Sequence, residues 1–374
     1  MEIVVRKADL LRELQLFQGI VERKNTIPIL ANIKFDAEGD QVRFSATDLE
    51  TAMSSTCAAT VKRPGTMTLP ARKLFEIVKS LPETDVRIAI DKARGSDKDS
   101  AKVSADRFDS RIQTLPAADF PNLPQTGSTT SVDLPSAALK EMIAKTQFAI
   151  TGEDTRYVLN GAQFILKPDV LVMVATDGHR LALITTPRQG DANAPEMKTF
   201  WPKKALTELA KLLGDSDAPV RYECGENNMS FQVGNRTLFS RLLDAQFPAY
   251  ERVIPKGNDK RLLFSRDLLT NAVKRVALLS NERSRAVKFV VDQGKVDVTS
   301  SSPELGEAQE TLMVDYSGPA MQICFNAQYV LDFLAVVTTD DVALELKDEV
   351  SQAVMMPVGA EGYEYTYVIM PMRV

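Results

Sequence analysis

Residues 170–186, VLVMVATDGHRLALITT, read as two apolar strands around a turn at Asp177-Gly178. Asp-Gly between β-rich apolar runs is a strong hairpin signal, because both central residues of such a turn take or tolerate positive φ. The stretch also holds His179, the one histidine of the chain. It raises two possibilities: an acid/base pair in which Asp177 orients an imidazole, and a turn that is scaffold. No G-x-S-x-G, H-E-x-x-H or G-x-x-x-x-G-K-[ST] accompanies it, so nucleophile, zinc and phosphate chemistry all lack their motifs. A single imidazole without partners does little acid/base work.

The elements around this hairpin occur three times. In the first copy a helical pattern, KADLLRELQLFQGIV, places Leu10, Leu14, Phe17 and Val21 on one face. Strand patterns follow at residues 29–37 and 41–61, with turns at Asp40 and at Thr47-Asp48-Leu49. A second helix, LPARKLFEIVKSLPE, puts Leu74, Val78 and Leu81 on one side, and strands close the unit. The order returns from residue 135 and again from residue 265. Ala8, Ser136 and Arg266 stand 128 and 130 residues apart, and Ala71, Lys203 and Ala327 stand 132 and 124 apart. Such spacing predicts three tandem domains of α+β class, each with two helices packed on β-sheets, over residues 1–126, 127–254 and 255–374. PNLPQTGSTTSV and FPAYERVIPKGND are the linkers. A turn recurs where the hairpin stands, SATDLETAM in the first copy and VTSSSPELG in the third. The turn is therefore scaffold, and its decoration by Gly178, His179 and Arg180 is the functional signal.

Composition excludes several classes. Across 374 residues, 44% are hydrophobic and 25% charged, as in globular proteins. The first residues carry mixed charge without an apolar signal core, and apolar runs such as 170–175 are too short to span a bilayer, which points to the cytoplasm and away from membranes. Cys57, Cys224 and Cys324 lie far apart, without zinc or disulfide spacing, and read as reduced thiols in strands. The net charge of −5 leaves open where the 45 lysines and arginines lie.

ATDGHRLAL, YVIMPMRV, TLPAADFPNLP, RYVLNG and LLSNERSR, in a threefold repeat spanning the whole chain, resemble the bacterial DNA sliding clamps, the DNA polymerase III beta subunits. The resemblance implies the DNA clamp fold and a head-to-tail homodimer forming a six-domain ring. Its role is non-catalytic: a processivity factor that encircles duplex DNA without sequence specificity and needs no cofactor. Twelve helices at about 8–10 Å spacing close a ring with an opening of roughly 22–28 Å, wider than a duplex of about 20 Å.

The helices carry Arg12, Arg72, Lys73, Lys79, Lys140, Lys145, Lys203, Lys204, Lys211, Arg266, Lys274 and Arg275, which would attract DNA whatever its sequence. The sixth, FNAQYVLDFLAVV, departs from this with Asp332 and no cation. The resemblance adds Lys24 and Tyr157 as loop contacts to DNA. Lys24 stands where an arginine is usual, Val158 where a second tyrosine is usual, and Glu153, where a glutamine is usual, would repel phosphate. It further implies a pocket for short peptides, lined by Leu159, Thr176, Gly178, His179, Arg180, Leu181, Pro248, Arg252, Val253, Asn326, Tyr329, Val350, Met370, Pro371, Met372, Arg373 and Val374. Apolar side chains and two methionines would supply adaptable surface, and arginines would orient the peptide. Ser284 stands where some relatives have an aromatic. Ile112, Leu278 and Leu279 are the expected dimer contacts. Implied partners are duplex DNA, a second copy, the replicative polymerase catalytic subunit, an ATP-dependent clamp loader and other proteins with clamp-binding motifs. The rival functions are a hydrolase using Asp177 and His179, and a general duplex-binding module that would hold linear DNA as well as circles.

Overall fold

Strand Thr51–Ala58 of the first repeat runs antiparallel beside strand Arg236–Arg241 of the second, with Met53 opposite Leu238. In the same way Arg180–Pro187 of the second repeat pairs with Glu364–Ile369 of the third, Ala182 opposite Tyr367. Each repeat thus completes a sheet begun by its neighbour. The computed structural model describes residues 1–21, 26–91, 100–124, 127, 130–152, 157–189, 196–214 and 218–373, with Asp91 and Tyr157 given by backbone alone.

The six expected helices form: α1 Lys7–Phe17, α2 Ala71–Ser80, α3 Ser136–Thr146, α4 Lys203–Leu213, α5 Arg266–Ala277 and α6 Ala327–Val336. Five start at the residue that the repeat spacing marks, and α1 starts one residue earlier, at Lys7. The repeats hold nine, eight and eight strands among the described residues.

The chain divides into two compact units that cut across the repeats: 1–140 with 204–242, and 141–203 with 243–374. In the first, an eight-stranded antiparallel sheet runs from Thr130–Leu134 at one edge to Gly65–Pro70 at the other. Beside it stands a five-stranded sheet whose edges are Thr60–Arg63 and Phe108–Gln113. In the second, an eight-stranded sheet runs from Met197–Pro202 to Lys260–Ser265, and a four-stranded sheet has Gly306–Met313 and Met321–Asn326 as edges.

Period decides what is buried. On α1 the spaced apolar residues Leu10, Leu14 and Phe17 are fully buried, as are Leu74 and Val78 on α2. Each such side chain contributes about 1.5–3 kcal/mol through apolar burial. Strand Lys295–Ser302 alternates inside and outside along its length, the signature of a sheet with one wet face. α1 also buries a charge that its apolar spacing does not announce. Glu13, 1% exposed, takes a two-pronged bond from Arg236, Nη2 to Oε1 at 2.8 Å and Nε to Oε2 at 3.2 Å. The three cysteines form no disulfide among the described residues and lie in strands. No helix is long and apolar enough to cross a membrane among the described residues.

Candidate functional site

The hairpin forms, but not as the two-residue turn that Asp-Gly suggests. Strands Val170–Thr176 and Arg180–Pro187 pair through Thr176 opposite Leu181, and of the residues between them only Gly178 has positive φ, at 87°. The cause is a side-chain cap. Asp177 Oδ1 accepts the backbone N–H groups of His179 at 2.9 Å and Arg180 at 3.0 Å, which closes a wider loop than two left-handed residues would. Thr176 Oγ1 accepts from the Gly178 N–H and donates to the Arg180 carbonyl.

This cap also settles the acid/base question. Asp177 gives its second oxygen to Arg180 Nε at 3.0 Å, so its carboxylate is occupied by the backbone and by arginine. The His179 imidazole is exposed, while its N–H is held by Asp177 and its carbonyl accepts from the Met370 N–H at 3.0 Å. The loop is thereby stitched to the C-terminal segment.

Arg180 is the most connected side chain of the site. It is 9% exposed, and besides Asp177 it donates from Nη1 to Asp332 Oδ2 at 2.5 Å and from Nη2 to the Phe148 carbonyl at 2.6 Å. Its guanidinium carbon lies 4.2 Å from the Tyr329 ring centre and 5.3 Å from that of Phe148. Burial works against the charged form, but Tyr367 and Asp332 outweigh it and raise the pKa above its ordinary value. Burial, and then the positive charge of Arg180, lower the ammonium of Lys203.

A cavity of about 440 Å³ opens against this turn. Nine of the expected pocket residues line it: Leu159, Thr176, Gly178, His179, Arg180, Leu181, Pro248, Val253 and Met370. Val158, Tyr250, Gln352 and Val368 line it as well, though the sequence did not mark them for the pocket. Val158 is the residue that departs from a second tyrosine, so the departure falls on the pocket wall. Behind it Val174, Leu181, Phe200, Phe247, Val354 and Val368 form a buried cluster, against which Tyr250 and Ile254 pack. Val253 and Met370, at 39% and 42% exposed, leave apolar surface at the opening.

Other expected residues lie elsewhere. Asn326 caps α6, accepting from the Gln328 N–H at 2.9 Å. Tyr329 lies beneath Arg180 and does not line the cavity. Arg252, Val350, Pro371, Met372 and Arg373 are outside the lining too; Val350 is exposed, and the Met372 N–H donates to the Cys324 carbonyl. Val374 lies outside the described residues, as do Lys24, Glu153 and the side chain of Tyr157.

Most of the basic helix residues fall into three sets. Among the described residues Lys79, Lys140 and Lys274 are exposed and form no ion pair, and Arg72 is exposed with Glu76 as its acidic neighbour. Lys73 pairs with Glu76, Arg12 with Asp9, Lys211 with Glu208 and Arg275 with Glu310, all at exposed cations. Three expected surface cations are instead struts. Lys145 is 2% exposed and donates to the Val336 carbonyl at the end of α6. Lys203 Nζ donates to the Ile150 carbonyl at 2.8 Å, and Lys204 Nζ to Asp48 and to the Ile20 carbonyl. A long cationic stem beside unpaired helix-end carbonyls satisfies them better than water does, which helical spacing alone does not disclose. Asp332, likewise, is the partner of Arg180. At the expected dimer contacts, Leu278 is 75% exposed, Leu279 is half-buried, and Ile112, 7% exposed, belongs to its own core.

Models of the DNA polymerase III beta subunit match the chain over its length: the N-terminal domain at residues 1–124, the central domain at 133–249 and the C-terminal domain at 251–373. The chain is 38% identical to the beta sliding clamp of Escherichia coli K12 over 375 residues and 37% identical to that of Pseudomonas putida KT2440 over 380, covering all of both proteins. Among solved structures it is similar to the Pseudomonas aeruginosa sliding clamp bound to griselimycin, with a TM-score of 0.92 and 35% identity over 100% of both chains. To Caulobacter crescentus pol III beta the TM-score is 0.89 at 36% identity, again over 100% of both chains.

Proposed function

The chain belongs to the family of the DNA polymerase III beta subunits, and from that premise we propose that two copies form a ring around duplex DNA, to which the cavity at His179 tethers the replicative polymerase. It is a DNA sliding clamp and not an enzyme. Each chain contributes three domains, residues 1–126, 127–254 and 255–374, so that the ring has six.

The apolar cavity carries this reading. Val253, Met370, Leu159 and Leu181 accept apolar side chains of an extended peptide, and the exposed His179 and Arg252 flank its polar backbone. Methionine at the rim lets one pocket fit several peptides, as a hub for the polymerase, an ATP-dependent loader and repair proteins requires. Pro371, Met372 and Arg373 of the C-terminal segment extend the contact.

DNA is held by enclosure and by a diffuse positive field from Arg72, Lys73, Lys140 and Lys274, with Lys24 and Tyr157 as further contacts by family position. Phosphate contacts carry no sequence information, so the ring slides. Closure uses two of the edge strands, Phe108–Gln113 of one copy against Gly306–Met313 of the other. Unpaired edges seek partners, and Phe108, Leu278 and Met313 leave apolar surface exposed.

Retention on DNA tests the proposal. Loaded copies stay on a closed circle through gel filtration and leave once a nuclease linearises it. Equal retention on both forms would sink enclosure and favour ordinary duplex binding.

A further inference from the structure

Two turns of this chain, 129 residues apart, carry the same hydrogen bonds. Thr47 Oγ1 accepts the Leu49 N–H and donates to the Thr51 carbonyl; Thr176 Oγ1 does so with Gly178 and Arg180. Asp48 Oδ1 accepts the N–H groups of Glu50 and Thr51, as Asp177 Oδ1 accepts those of His179 and Arg180. The third residue is left-handed in both, φ 80° at Leu49 and 87° at Gly178.

The second aspartate oxygen shows what holds each turn in place. Asp48 Oδ2 takes Lys204 Nζ, which also reaches the Ile20 carbonyl just beyond α1. Asp177 Oδ2 takes Arg180 Nε, whose Nη2 reaches the Phe148 carbonyl just beyond α3. One device therefore appears twice: aspartate, cation, and a carbonyl past the end of the repeat's first helix. The cation comes from different places. In the first case the turn offers Thr51 and the following repeat's helix offers Lys204. In the second the turn offers Arg180, and the helix position equivalent to Lys204 is Gln328. That equivalence is fixed by the backbone: Lys203 and Ala327 start their helices and donate to the Asn160 and Arg285 carbonyls at 3.0 and 2.8 Å. Gln328 already lies in this network, donating to Asp332 at 2.7 Å, and Asp332 accepts Arg180.

We propose that Arg180, besides lining the peptide pocket, is a positioning residue, whose charge fixes Gly178 and His179 at the wall through Asp177, and that a lysine at position 328 can take over this task. The proposal rests on the pocket proposed above. Its guanidinium bonds are directed at Asp177, Asp332 and Phe148, and its faces at Tyr329 and Phe148, so each of its three nitrogens already has a partner within the protein. Without the cation, Asp177 keeps a half-satisfied carboxylate beneath the pocket wall, and the turn relaxes.

Griselimycin, the ligand of the Pseudomonas aeruginosa clamp, is the probe, titrated calorimetrically into the full-length protein. Arg180→Thr should weaken its binding about tenfold or more, the size expected from losing charged hydrogen bonds. Arg180→Thr with Gln328→Lys should return to within about threefold of the parent, because the bridge is rebuilt from the other side. Val253→Asp, which places a charge in the apolar wall, is the control for the pocket and should abolish binding. If Arg180→Thr binds like the parent, or if the folded double variant binds as weakly as the single one, the positioning role is overturned. If the single variant does not fold, the double variant decides alone: folded and binding supports the bridge, any other result overturns it. Unchanged binding by Val253→Asp would instead remove the pocket, and the proposal with it.

Discussion

Arg236 grips Glu13 with two nitrogens, at 2.8 and 3.2 Å, where neither side chain exceeds a tenth of its exposure. The arginine belongs to the last strand of the second repeat and the glutamate to the first helix of the chain. Removing one partner strands a buried charge, so Arg236→Met should cost about 3–5 kcal/mol. Glu13→Leu with Arg236→Met should recover most of that, since an apolar pair of similar volume avoids desolvating two ions. Chemical denaturation of the four proteins in a double-mutant cycle measures it; a double variant as unstable as Arg236→Met would show that the pair is held for more than charge compensation.

The two capped turns make the same left-handed demand on their third residue and meet it with different residue types. Gly178 sits at φ 87° without strain, whereas Leu49 adopts φ 80° with a β-carbon. Gly178→Ala should cost about 1 kcal/mol, the left-handed penalty for an L-residue. Leu49→Gly should be neutral or stabilising by up to about 1 kcal/mol, because Leu49 is half exposed and little apolar burial is lost. Thermal melts compare the pair, and a large loss for Leu49→Gly would mean that its side chain anchors something.

Salt dependence separates the field cations from the struts. Replacing Arg72 and Lys274 with alanine should lower the slope of log affinity against log salt by about 0.9 for each phosphate contact removed. Lys145→Met should leave that slope alone and lower stability, since its ammonium is tied to the Val336 carbonyl and lies 4.7 Å from the Tyr363 ring centre. Anisotropy of labelled duplex at several salt concentrations gives the slopes. A reduced slope for Lys145→Met would place that lysine at the DNA after all.

Burial, reinforced by Asp9 and Glu13, pushes the Cys57 thiol from an ordinary value of 9.0 up to about 11. Its folded form therefore stays neutral where the unfolded thiol ionises. Cys57 contributes stability that is whole below pH 9 and is lost as pH rises toward 11. Cys57→Ala should flatten that alkaline loss, and a disulfide reagent at pH 8 should leave native Cys57 unmodified while labelling it in denaturant. Rapid labelling of the native thiol would show that the strand opens.

Much of this was legible in the residues alone. Apolar spacings of 3.6 and 2 are local, so the six helices, the alternating strands and the threefold order could be read from them, and the family motifs marked nine residues of the pocket wall. What lies far apart in sequence was not legible. No periodicity says that Arg180 would spend its guanidinium on Asp332, that Lys204 would anchor a turn in the preceding repeat, or that Glu13 would wait for Arg236. Nor does spacing reveal that the two eight-stranded sheets each join strands of neighbouring repeats. A charged side chain on a helix looks solvated until the chain closes around it, because its partner is chosen by desolvation and hydrogen-bond geometry, which exist only in the folded protein.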